Sequence, residues 1–124
     1  MRLLFLLHQG NMFSGGQGVY TAQVTRELAR LGHDVHLIVG PPWPETDPAV
    51  TVHRVPSYSV YRLLETSRFF FYGRPPRSFF HPLNFYELAT SRNGQFSVMS
   101  AFSWRAFMRW RELQARYRFD VVHD

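Results

Sequence analysis

The segment best suited to chemistry is Ser14-Gly15-Gly16-Gln17-Gly18. It follows an apolar run, Leu3-Leu4-Phe5-Leu6-Leu7, and leads into residues at helical spacing: Tyr20, Val24, Leu28 and Leu31, with Gly32 as a stop. The first amides of a helix have no internal partner, and the helix dipole favours negative charge there. Glycine lets an anion come close without a side chain in the way. An anion site at this first strand-to-helix turn is the leading inference, with a plain structural turn as the bland reading. His8 falls where that strand ends, which is where open α/β sheets place ligands. It is either a ligand contact or a loop histidine without function.

Two familiar phosphate signatures fail. A dinucleotide fingerprint needs a third glycine and an acid about 20 residues on, but Val19-Tyr20-Thr21 and Val39-Gly40-Pro41 supply neither. A P-loop needs a lysine, and the chain has none. The remaining histidines are read as structure. His33 belongs to a helix-to-strand turn, while His36 and His53 lie on strands as core or surface residues. No histidine pair has the short helical spacing of a zinc site. With no cysteine, disulfides and thiolate metal sites are excluded.

The elements that would position these residues alternate. After the first strand and helix, Val35-His36-Leu37-Ile38-Val39 reads as a buried strand, broken by Pro41-Pro42-Trp43-Pro44. Thr51 to Val55 is a short third strand closed by Pro56. This is a βαβ unit with a right-handed crossover. Leu83 to Arg92 is predicted as a short helix. Met99, Phe102, Ala106, Trp110, Leu113 and Tyr117 predict a longer one, with Ser97 as N-cap. Phe119-Asp120-Val121-Val122-His123 reads as a further buried strand, and the reading of the chain as one incomplete domain, residues 1–124, rests on its stopping there.

Composition narrows the partners. The net charge is +5 and all 14 basic residues are arginine, scattered from Arg2 to Arg118. Scatter of this kind argues against a nucleic-acid stripe. Aromatic side chains crowd the region from Tyr58 to Tyr86, beside arginines. That composition suits peripheral contact with a membrane; packing within the protein or a loop over a cleft is the competing reading. The opening apolar run is too short for a signal peptide or a span, so a cytoplasmic location is expected, with membrane association as an addition.

Three blocks carry a family resemblance: Ser14-Gly15-Gly16 before a helix, Glu27-Leu28-Ala29-Arg30-Leu31-Gly32-His33-Asp34-Val35 entering the second strand, and Phe119-Asp120-Val121-Val122-His123. In this order they resemble the N-terminal domain of family 4 glycosyltransferases, retaining enzymes of the GT-B fold. The resemblance implies an open parallel Rossmann-like sheet of order 3-2-1-4, the first part of a GT-B N-terminal domain. It implies transfer of a sugar from a nucleotide-sugar donor to an acceptor with retention. Gly15 and Gly16 would approach the donor diphosphate, and His8 would touch acceptor or donor. His123 matches only the first position of the family's strand-end His-x-His and is the single weak catalytic candidate. The resemblance implies no metal and no cofactor beyond the donor. The family's donor-binding glutamates lie in a C-terminal domain, so residues 1–124 alone are expected to be inactive. The rival reading is a non-catalytic nucleotide- or phosphate-binding α/β module.

Overall fold

A computed structural model describes residues 1–13, 16–58, 76–91 and 96–124. They divide into two compact units, Met1–Val55 with Arg105–Asp124, and Pro56–Trp104. The first unit holds one four-stranded, all-parallel sheet of order β3-β2-β1-β4, as the sequence predicts. Its strands are β1 (Arg2–Leu7), β2 (Asp34–Val39), β3 (Thr51–Arg54) and β4 (Val121–His123).

Helix α1 (Gln17–Arg30) joins β1 to β2. Strand side chains alternate between faces. Leu3, Phe5, Leu7, Val35, Leu37 and Val39 accordingly form a core on one face, against which Val24, Leu28 and Ala29 of α1 pack. Leu4, Val35, Leu37, Ile38 and Val39 are fully buried, and each such side chain contributes about 1.5–3 kcal/mol when removed from water. Near-continuous apolar runs of this kind are what a parallel sheet covered on both faces requires.

The end of α1 follows from Gly32, whose φ of 86° is in the left-handed region that glycine adopts freely. Gly32 N–H donates to Ala29 O at 3.0 Å and His33 N–H to Leu28 O at 3.1 Å, a Schellman closure that turns the chain into β2. Asp34 N–H then bonds Met1 O at 3.0 Å and sets the β1–β2 register.

Helix α2 (Pro82–Thr90) opens on an N-cap bond, with Leu83 N–H donating to His81 Nδ1 at 3.3 Å. Helix α3 (Phe96–Tyr117) begins in the second unit and ends in the first. Ser97 is not its N-cap, because the helix already starts at Phe96. The Ser97 Oγ is buried without a hydrogen-bond partner among the described residues. The predicted apolar stripe of α3 buries Phe102, Ala106 and Leu113, but Met99 is exposed. Arg118, at φ 53°, ends this helix, and Phe119 N–H bonds the Gln114 side chain at 3.0 Å. The second unit also contains a short 3-10 turn, Pro76–Phe80. Most of the aromatic region for which membrane contact competes with packing or a cleft loop, residues 59–75, lies outside the described residues.

Candidate functional site

The described part of the loop from β1 to α1 ends at a helix start that no side chain caps. Gly16 is the N-cap, with φ 69° and ψ −27°. The first intrahelical bond runs from Tyr20 N–H to Gly16 O at 2.9 Å. The amides of Gln17, Gly18 and Val19 therefore precede the hydrogen-bonded ladder. A Cβ placed on Gly16 would meet nothing among the described residues within 4 Å, so the space at this position is open to them. Gly15, the other glycine predicted to approach an anion, lies outside the described residues.

What holds this loop is close backbone packing. A Cβ on Gly18 would fall 2.2 Å from the Asn11 carbonyl oxygen, so the incoming loop passes directly against the first turn of α1. A Cβ on Gly10 would fall 2.2 Å from Pro44 Cδ and 2.6 Å from Pro42 O. The loop is thus wedged between α1 and the prolines that follow β2. Asn11 Oδ1 accepts the Phe13 N–H at 2.8 Å, closing a small side-chain turn at the loop tip. In the neighbouring loop the Arg54 guanidinium lies 5.6 Å from the Trp43 ring centroid.

His8 follows the last residue of β1 and is partly exposed at that end of the sheet. His123 is an exposed residue of edge strand β4, in register with Phe5, and its ring lies 5.0 Å from the Phe5 ring. It borders a mainly apolar cavity of about 250 Å³ lined by Leu3, Phe5, Tyr20, Val24 and Val121. The fold thus places His8 just past β1, Gly16 at the N-cap of α1 and His123 on β4 beside β1.

His36 and His53 do not join this group. His36 is in register with Leu4, on the sheet face opposite the α1-facing core. Its Nδ1 lies 2.9 Å from His53 Nε2, and its Nε2 lies 3.2 Å from Asp34 Oδ1. The Tyr117 and Phe119 rings pack on it at 4.5 and 5.1 Å. Burial lowers the pKa of His36, with Asp34 opposing that shift. Burial, then the charges of His36 and Arg109, lowers that of His53 to about 4. Among the described residues no group of three His, Asp or Glu side chains is placed to hold a metal ion. No helix among them is long and apolar enough to cross a membrane.

Sequence reasoning passed over Gly10, Asn11 and Phe13, and took Gly18 as part of the anion-facing glycine loop and not as the packing contact it makes with Asn11. A signal was present for Gly18: a glycine inside a first helical turn costs helix propensity and marks close backbone approach.

Comparison with known proteins shows the family. The description "Glycosyl transferase 4-like domain" fits residues 15–124. The chain is 39% identical, over its whole length, to an MMP alpha-(1->4)-mannosyltransferase of Mycolicibacterium hassiacum. It spans 29% of the length of that relative.

Proposed function

The chain belongs to the glycosyl transferase 4-like domain family, and on that premise we propose that it forms part of an enzyme transferring a sugar from a nucleotide-sugar donor to an acceptor with retention. The observation that carries the site assignment is the open, left-handed Gly16 at the start of α1. As the bond from the anomeric carbon to the leaving diphosphate breaks, negative charge grows on the phosphate oxygen. Amides fixed at a helix N-terminus stabilise that charge without having to reorganise. Gly16, with Gly15 before it, lets the diphosphate reach those amides.

The similarity to a mannosyltransferase makes mannose the first donor sugar to test. His8, at the end of β1, contacts the acceptor or the donor sugar. The remaining donor contacts come from a second domain of GT-B type, facing this one across the cleft. The reading includes no metal and no organic cofactor. It is tested by incubating the enzyme that carries both domains with nucleotide-activated mannose and mannoside acceptors, and reading the anomeric configuration of the product by NMR. An α-linked product from an α-linked donor is expected. Nucleotide binding with no transfer, by a protein that carries both domains, would favour a binding module instead.

A further inference from the structure

Phe13 is 97% exposed, the most exposed large apolar residue among those described. A phenylalanine in that position contributes no buried area to folding. Its backbone is nevertheless well held. Phe13 N–H bonds Asn11 Oδ1, and the Asn11 carbonyl is packed against Gly18 so closely that a methyl group would not fit. The ring is therefore presented from a fixed base, which lowers the ordering cost of binding. It stands three residues before the open helix start at Gly16, on the loop that follows β1. The loop wedged against it carries Trp43, with the Arg54 guanidinium over its ring. A single exposed ring is not the contiguous apolar patch of a protein interface. An exposed aromatic face at the end of the sheet where open α/β folds bind ligands suits a ligand that presents an apolar C–H face.

We propose that Phe13 is a carbohydrate-stacking residue, its ring lying against the apolar C–H face of a sugar bound at the C-terminal edge of the sheet. The proposal rests on the glycosyltransferase reading and deepens it by naming a residue that grips the sugar. That sugar belongs either to the acceptor or to the donor, and stacking chemistry is the same for both. Because the ring touches little of its own protein, its removal leaves the fold intact, which makes the test clean.

The wild type, Phe13→Ala and Phe13→Trp, each as the full-length enzyme with both domains, are titrated by calorimetry or saturation-transfer NMR with an α-1,4-linked mannose oligosaccharide and separately with nucleotide-activated mannose. Thermal unfolding is followed in parallel. Phe13→Ala should raise the dissociation constant for one of the two probes on the order of tenfold, with Phe13→Trp close to wild type and all three unfolding alike. A rise confined to the oligosaccharide assigns the ring to the acceptor, and one confined to the nucleotide-sugar assigns it to the donor. If both probes bind the wild type and Phe13→Ala equally, stacking is overturned while the family reading stands. If the wild type binds neither, both readings fall.

Discussion

The imidazoles of His36 on β2 and His53 on β3 share a 2.9 Å contact between Nδ1 and Nε2, with the two rings 9° from parallel. Only one of those nitrogens can carry the proton between them. Asp34, 3.2 Å from His36 Nε2, favours placing the single His36 proton on that nitrogen, so that Nδ1 accepts from His53 Nε2–H. The pair thus satisfies two buried rings while both are neutral. Arg2, Arg109 and the Tyr117 ring complete its surroundings.

Stability should therefore fall on acidification. Both histidines titrate lower in the folded protein than the ordinary 6.5, with His53 at about 4. Below pH 6.5 the unfolded chain takes up protons that the folded one refuses, so stability is lost as pH drops from about 6.5 towards 4 and levels off beneath that. Urea unfolding midpoints at pH 7, 6 and 5 should decline. In His53→Gln, which keeps hydrogen-bonding capacity but does not titrate, the decline should be shallower. Equal slopes in the two proteins would refute the assignment.

Gly16 and Gly32 provide a matched pair for the anion site. Both have positive φ, and a Cβ on either would meet nothing within 4 Å. Alanine at either position should cost about 1–2 kcal/mol of stability through backbone strain alone. Only Gly16→Ala should also impair sugar transfer, and Gly16→Val more so. Loss of an aimed anion donor costs on the order of 100-fold in rate. Similar turnover from Gly16→Ala and Gly32→Ala, in an active full-length enzyme, would reduce Gly16 to a turn residue.

For Gly18, two effects oppose each other. Alanine gains about 1 kcal/mol in helix propensity over glycine, but its methyl group would sit 2.2 Å from the Asn11 carbonyl. Overpacking of that kind costs about 1–3 kcal/mol, so strain should win. Gly18→Ala should lower the melting temperature and, by displacing the Asn11–Phe13 turn, weaken sugar binding. A rise in melting temperature would mean that the loop yields easily.

The sheet was legible because its strands are short apolar runs bounded by glycine and proline, and because Gly32 marks the end of α1. Gly16 was legible for a similar reason: a glycine directly before a helical pattern marks a sharp turn with bare amides behind it. The histidine pair was not. His36 and His53 are 17 residues apart, and only the diagonal neighbourhood of β2 and β3 brings them together. Ser97 was misread as a cap because cap and first-turn serines look alike without the hydrogen bond. Phe13 looked like one aromatic among many, since exposure cannot be read from residue type.

Arg2 bears on how the protein is made. Its backbone N–H bonds Asp120, its guanidinium bonds Asp34 at 3.1 Å and the Tyr117 carbonyl at 2.6 Å, and Leu3 beside it pairs with Val121. During synthesis β1 emerges first and can pair with β2 early, but its other edge waits for residues 121–123. A central strand must therefore stand with one side open until the ribosome has passed β4, and closing so long a loop is slow. Of the four strands, β1 is thus the most exposed to wrong pairing, since it is made before the others and waits longest for its second neighbour.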